Sequence, residues 1–303
     1  MSTVLIGGGT GLIGMRLSRW LARAGYTVLH LSRTPDPDAP FPAYGWNIRE
    51  GTIDQEAVER ADAVINLAGA GIADRRWSPS RKALIIKSRT ATARLLQEAM
   101  ARSASRPAVY LSAGAIGYYG DRGETLLEET DEPGKGFLSE SCLAWEGAAR
   151  AVSELGVRTV LTRTGIVLST RGGALAKMMP PVHFYLAPYF GTGRQWYSWI
   201  HVDDLCRIYQ FALERDDLQG TFNAVAPNPE RNRAFMQQLA EAMGKKALSA
   251  PVPAAALRLI FGEMADTILD STRVSADKLQ DAGFEFQYPE LSEALVNLIV
   301  EEK

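Results

Sequence analysis

The sequence predicts an α/β fold, a doubly wound parallel sheet with a smaller mixed C-terminal lobe. Three observations predict it. Short β-prone apolar runs alternate with stretches of helical apolar spacing over residues 1–170. A glycine-rich turn joins the first such run to the first such helix. Beyond about Leu168 the alternation weakens, and Met178 to Trp199 is rich in Pro, Tyr, Phe and Trp.

Each element follows in order. Thr3-Val4-Leu5-Ile6 reads as a strand, broken by Gly7, Gly8, Gly9 and Gly11. From Leu12 the apolar residues Ile13, Leu17, Trp20 and Leu21 recur at helical intervals until Gly25 stops them. Thr27 to Leu31 is the next strand, Pro35 to Pro42 a loop, Asp54 to Arg60 a short helix, and Ala63 to Leu67 a buried strand. A long helix over Pro79–Arg102 leads to a strand at Ala108–Ser112. A helix at Ser139–Leu155 leads to a strand at Arg158–Thr162. Alternation of this kind implies a parallel sheet covered on both faces, with right-handed crossovers. Residues 171–303 read mainly as a substrate lobe and C-terminal helical region, with 200–226 returning to the first domain. In that part Thr221–Val225 reads as a strand and Asn232–Met243 as a helix.

Composition narrows the functions. The 303 residues carry 33 Lys+Arg against 35 Asp+Glu, so no basic excess points to nucleic acid or to an anionic membrane. Cys142 and Cys206 form no CxxC pair, and His30, His183 and His201 are scattered, which excludes the common zinc motifs. No apolar run reaches the ~20 residues that span a bilayer. The first strand begins without the flanks of a signal peptide, and a cytoplasmic protein is expected.

Residues Gly7 to Gly14 hold both GxGxxG and GxxGxxG. Between a strand and a helix, such a turn lets the helix aim its free N–H groups and positive dipole end at a pyrophosphate. A turn serving packing alone is the plainer alternative. The second strand ends Leu31-Ser32-Arg33, with no acid for a ribose 2′-hydroxyl. A hydroxyl followed by a guanidinium suits a 2′-phosphate instead, which points to NADP(H).

The chain resembles the extended short-chain dehydrogenase/reductase superfamily, and within it the atypical "epimerase family" group. The resemblance covers essentially the whole length. It rests on the turn Gly7–Gly14, Ser32-Arg33, Asp62–Gly69, Arg75-Arg76-Trp77, Ser88-Arg89, Gly117–Gly120, Trp145-Glu146, Arg163–Leu168, Trp199–Asp204 and Ala282-Gly283-Phe284. It implies a Rossmann fold in which Gly8, Thr10, Gly11, Leu12 and Ile13 meet the pyrophosphate and Ser32 and Arg33 hold the 2′-phosphate. It also implies that Leu67, Ala68, Gly69, Arg89, Thr164, Gly165 and Ile166 complete the cofactor site. Asn47 is the nearest match to an adenine-binding acid.

The chain departs from the family at the catalytic pair. Members use Tyr-x-x-x-Lys, the Tyr as general acid/base and the Lys lowering its pKa. Aligned on the Glu that usually follows, Leu138 stands where Tyr is expected and Cys142 where Lys is expected. Ser112, Tyr118 and Tyr119 are the remaining catalytic candidates, at the edge of the sheet where α/β proteins bind ligands. The tyrosines serve equally well as an aromatic packing pair. Cys142 reads as a buried structural thiol, His201 as a satisfied histidine, and Asp203 or Asp204 as the cap of the helix that follows. Arg75-Arg76-Trp77 reads as an anion clamp or as a surface cluster.

Two functions fit. One is an NADP(H)-dependent oxidoreductase or epimerase acting on a nucleotide-sugar or a small carbonyl/hydroxyl compound, with a homodimer as one assembly open to it. The other is a non-catalytic NADP(H) sensor or partner-binding protein, as the lost pair would suggest.

Overall fold

The computed structural model describes residues 2–300. Its centre is an eight-stranded sheet. In chain order the first strands are β1 (Thr3–Gly7), β2 (Thr27–Ser32), β3 (Ala43–Asn47), β4 (Thr52–Ile53), β5 (Ala63–Asn66) and β6 (Val109–Ala115). The strands Arg158–Thr164 and Gly220–Ala224 complete it. The spatial order is Gly220–Ala224, Arg158–Thr164, β6, β5, β1, β2, β3, β4. Every neighbouring pair is parallel except β3 and β4, which form a hairpin. The order reverses at β1, so a crevice opens at the carboxyl ends of β1 and β5.

The crossover helices are α1 (Leu12–Arg23), α2 (Gln55–Glu59), α3 (Pro79–Arg102) and α4 (Phe137–Arg150). Local chemistry sets their starts. Ser78 accepts a hydrogen bond from Arg81 N (3.2 Å) with Pro79 in the first turn, and Asp54 accepts one from Glu56 N (3.1 Å). Further on come α5 (Gly173–His183), α6 (Val202–Glu214) and α7 (Asn232–Ala242).

Each face of the sheet has its own core. On one, Leu17 and Leu21 of α1 and Leu205, Ile208 and Tyr209 of α6 bury Val4, Ile6, Ile65 and Leu111. On the other, α3 and α4 cover Leu5, Val64, Tyr110 and Leu161 with Leu96, Ala99 and Ala149. A third cluster joins α5, α7 and the helix Leu291–Val300 around Trp199 and Phe235. The strand Gly220–Ala224 and α6 therefore belong to the sheet layer, although they follow α5 in the chain.

The order of elements matches the sequence expectation, with three differences. β3 lies just beyond the expected Pro35–Pro42 loop, in a stretch to which the sequence assigned no element. Its Gly45 and flanking prolines hide the signal, yet it pairs with β2 on one side and β4 on the other. The helix expected from Ser139 begins at Phe137 and tightens to a 3-10 turn over Ala151–Leu155. The cap of α6 is His201 itself, whose Nδ1 accepts from Asp203 N at 3.0 Å, and not Asp203 or Asp204. Asp204 instead accepts from Gln287 N and Tyr288 N and pairs with Arg207.

Among the described residues, no helix is long and apolar enough to cross a membrane, and no group of His, Cys, Asp and Glu is placed to hold a metal ion.

Candidate functional site

The site grows from the turn between β1 and α1. Gly11 N donates to Gly8 O at 3.1 Å, and α1 begins with no side chain capping it. The N–H groups of its first turn are left without a capping side chain. Gly14 is tied to this close packing: a Cβ there would stand 2.2 Å from Gly8 O and 2.8 Å from Gly9 Cα. Backbone occupies the space a side chain would need, and the cradle closes only on glycine.

Of the other expected cofactor residues, Leu67-Ala68-Gly69 lie beside that turn, with Arg89 against Gly69. Leu67 N donates to Gly7 O at 2.8 Å and Ala68 N to Asn66 Oδ1 at 3.2 Å, which lays Leu67-Ala68-Gly69 beside Gly8. Asn66 is buried, and its amide donates to Tyr110 Oη at 3.2 Å. Gly165 N donates to Ala224 O at 3.1 Å and Ile166 N to Ser198 O at 2.9 Å, which sets the Thr164–Ile166 segment at the end of its strand. Leu12 lies against Gly172 and Gly173 just beyond. Thr10 is exposed at the tip of the turn, and Ile13 packs against the core beneath.

Ser32 Oγ donates to Thr34 O at 3.0 Å and accepts from Thr34 N at 3.2 Å, which folds the chain back at the end of β2. Arg33 follows, exposed, with no side-chain hydrogen bond or ion pair among the described residues. Arg89 lies over the ring of Trp145, 4.8 Å from its centre, against Gly69. Burial holds its pKa below the usual arginine value, and among the described residues its guanidinium makes one hydrogen bond, to Ile85 O at 3.1 Å. Asn47 is engaged elsewhere: its Oδ1 accepts from Arg49 N and Glu50 N, closing a turn.

The catalytic candidates separate. Ser112 is fully buried in β6, and its hydroxyl donates to Ala113 O at 3.2 Å. Tyr119 is fully buried as well; its hydroxyl donates to Asn223 Oδ1 (2.7 Å) and accepts from Arg163 Nη1 (2.9 Å). Burial pushes its pKa up to about 12 against the opposing pull of Arg163. Tyr118 differs. Its hydroxyl makes no hydrogen bond among the described residues, the residue is 8% exposed, and the Arg163 guanidinium lies 3.4 Å from the ring centre. The adjoining Gly117 faces Leu138 and Cys142, where a Cβ would lie 3.4 Å from Leu138 Cβ and 3.7 Å from Cys142 Sγ. The tyrosine segment thus abuts the two positions from which the family's Tyr and Lys are missing.

Cys142 is buried, and burial, helped by the charge of Glu146, pushes its thiol up to about 12. Arg163 and Glu146, on which sequence reasoning placed no role, form an ion pair inside the protein. The visible signal was an arginine near the inner end of a strand whose other residues after Arg158 are apolar or hydroxyl-bearing. Burial opposes the arginine's charge, but its bonds to Glu146 and Tyr119 outweigh that and raise its pKa. Arg75 and Arg76 are exposed. Arg76 lies against Gly262, Lys82 pairs with Glu263, and Trp77 meets Phe137 edge-on at 4.8 Å. The segment between β5 and α3 thereby touches the C-terminal lobe.

The NAD dependent epimerase/dehydratase family matches residues 4–225, and a domain of unknown function, DUF1731, matches residues 252–298. An epimerase family protein of Mycobacterium bovis is 37% identical over 295 residues, covering 97% of this chain and 96% of the relative. The structure of the human epimerase family protein SDR39U1, solved with NADPH, superposes with a TM-score of 0.87 at 31% identity, covering 98% of both chains. The nucleoside-diphosphate sugar epimerase of Corynebacterium glutamicum gives a TM-score of 0.78 at 33% identity, over 97% of this chain and 57% of that one.

Proposed function

Because the chain belongs to the NAD-dependent epimerase/dehydratase family, we propose that it is an NADP(H)-dependent oxidoreductase or epimerase acting on a nucleotide-sugar or other small carbonyl/hydroxyl compound. The observation that carries the choice of NADP(H) is the end of β2. Arg33 stands exposed with its guanidinium unpaired among the described residues beside the Ser32 hydroxyl, and no carboxylate occupies that strand end. The human relative solved with NADPH supports the same choice.

In this reading the first-turn N–H groups of α1, with Gly8, Thr10, Gly11, Leu12 and Ile13, hold the diphosphate. Ser32 and Arg33 hold the 2′-phosphate by charge-assisted bonds. Leu67, Ala68, Gly69, Arg89, Thr164, Gly165 and Ile166 line the remainder. Bound there, the cofactor supplies hydride chemistry at its nicotinamide ring. The protein's own part is proton transfer to or from a substrate oxygen, and we give it to Tyr118 because its hydroxyl makes no hydrogen bond among the described residues and the adjoining Gly117 faces Leu138 and Cys142. Tyr119 and Ser112 are left as structural groups, one held by Arg163 and Asn223, the other sealed in the sheet.

The second reading, a cofactor-binding protein without turnover, draws on the buried thiol at Cys142 and the apolar Leu138. Calorimetry with NADPH and NADH tests the cofactor. NADPH is expected to bind about tenfold or more tightly, in line with a charge-assisted contact of roughly 1.5–3 kcal/mol, and Arg33→Ala removes the difference. Equal affinities in the unaltered protein overturn the NADP(H) assignment. NADPH consumption with a panel of small carbonyl compounds then separates the readings. Turnover lost in Tyr118→Phe supports the enzyme, and tight binding with no turnover supports the sensor.

A further inference from the structure

His30 lies in the middle of β2, buried, directly beneath the glycine turn. A Cβ on Gly9 would stand 2.4 Å from its ring, so the imidazole fills the space on the protein side of that residue. Its Nε2 is 2.7 Å from Ser18 Oγ, and Ser18 in turn donates to Gly14 O at 2.7 Å. With the hydroxyl proton committed to Gly14, Ser18 accepts from Nε2–H, and Nδ1 is the free position for a second proton. Nδ1 carries no hydrogen bond among the described residues.

We propose that His30 is a proton-linked part of the cofactor site: seating a diphosphate on the turn draws a proton from solvent onto its Nδ1. The inference rests on the cofactor reading above. An anion on the far side of Gly9 favours the imidazolium, and by reciprocity the imidazolium favours the anion. In the free protein burial alone lowers the imidazole's pKa, so the ring is neutral near pH 7 and has room to gain a proton on binding.

The neighbours supply no competing charge. From α1 the ring meets Ser18, from the other side Phe41 (5.1 Å between ring centres), and Pro42 accepts its backbone N–H. Arg16, which pairs with Asp203, and Arg19 line a cavity of about 250 Å³ together with Thr10, Gly11 and Leu12 of the turn. Arg33, three residues on, is exposed at the end of the strand.

Titrating the full-length protein with NADPH near pH 6.5, in two buffers of different ionisation enthalpy, counts the protons taken up. The 2′-phosphate itself titrates near pH 6, so the informative quantity is the difference between the unaltered protein and His30→Gln, checked with NADH where affinity allows. The expected result is an uptake of a fraction of a proton that disappears in His30→Gln. NADPH affinity should also rise several-fold from pH 7.5 to 5.5, and the variant should lack the part due to His30. Uptake identical in both proteins overturns the inference. Should the variant fold poorly, proton NMR of the three imidazoles with and without cofactor replaces it. A His30 signal whose midpoint stays put on binding is then the refuting result. Absence of NADPH binding at any pH refutes the cofactor reading instead.

Discussion

Arg163 and Glu146 meet side-on inside the protein, Nε to Oε1 at 2.8 Å and Nη2 to Oε2 at 3.0 Å, with both side chains at least 96% buried. The pair ties α4 to the strand Arg158–Thr164 beneath Tyr118 and Tyr119. Glu146→Ala leaves a guanidinium buried without its carboxylate and is expected to cost about 3–5 kcal/mol in urea denaturation. Replacing both residues with Met removes the stranded charge, so the double variant is expected to lose less than Glu146→Ala alone. A single variant within about 1 kcal/mol of the parent contradicts this account of the pair.

Gly14→Ala tests the cradle. The new methyl meets backbone at 2.2 Å, and backbone cannot swing aside as a side chain would. The turn must spread, at a cost of about 1–3 kcal/mol in stability. NADPH affinity, followed by cofactor fluorescence, is expected to fall by about tenfold or more, since the N–H groups no longer converge. Unchanged binding would falsify the placement of the diphosphate on this turn.

Asp270 gives a pH signature. Burial, reinforced by the charges of Asp266 and Asp121, raises its pKa to about 6 from an ordinary value of 3.8. A carboxyl raised on folding contributes stability that is complete below about pH 4 and is lost as pH rises through 6. Asp270→Asn, which carries no charge, is therefore expected to be more stable than the parent above pH 6 and similar to it near pH 4. The group is half-exposed, so the gain is discounted for solvent to about 1 kcal/mol, or roughly 2 °C in Tm. Melting curves at pH 4 and 7.5 decide it, and a variant less stable at pH 7.5 contradicts the sign.

Most of the fold was legible because β1, α1, β2 and β5 follow simple periodicity, and the glycines between β1 and α1 have a single geometric use. β3 was not, because Tyr44, Gly45 and Trp46 become strand only through partners on both sides. The short pairings of the later chain, such as Leu186–Phe190 with Leu248–Val252, join residues too distant in sequence for local pattern to report. The glycine turn between β1 and α1 was legible as a motif. The distinction between Tyr118 and Tyr119 was not, since it depends on where Asn223 and Arg163 arrive from other strands. His30 showed the same limit: as a residue of an apolar strand it gave no hint of contact with Gly9.

The outermost strand, Gly220–Ala224, pairs with Arg158–Thr164 only after α5 and α6 have been made. A nascent chain that has passed residue 170 still exposes that strand edge and the face of α1 that α6 covers. The sheet therefore matures late on the ribosome, with much of the chain beyond residue 170 already synthesised. Cut at residue 170, the chain would be a sticky fragment and not a transplantable module.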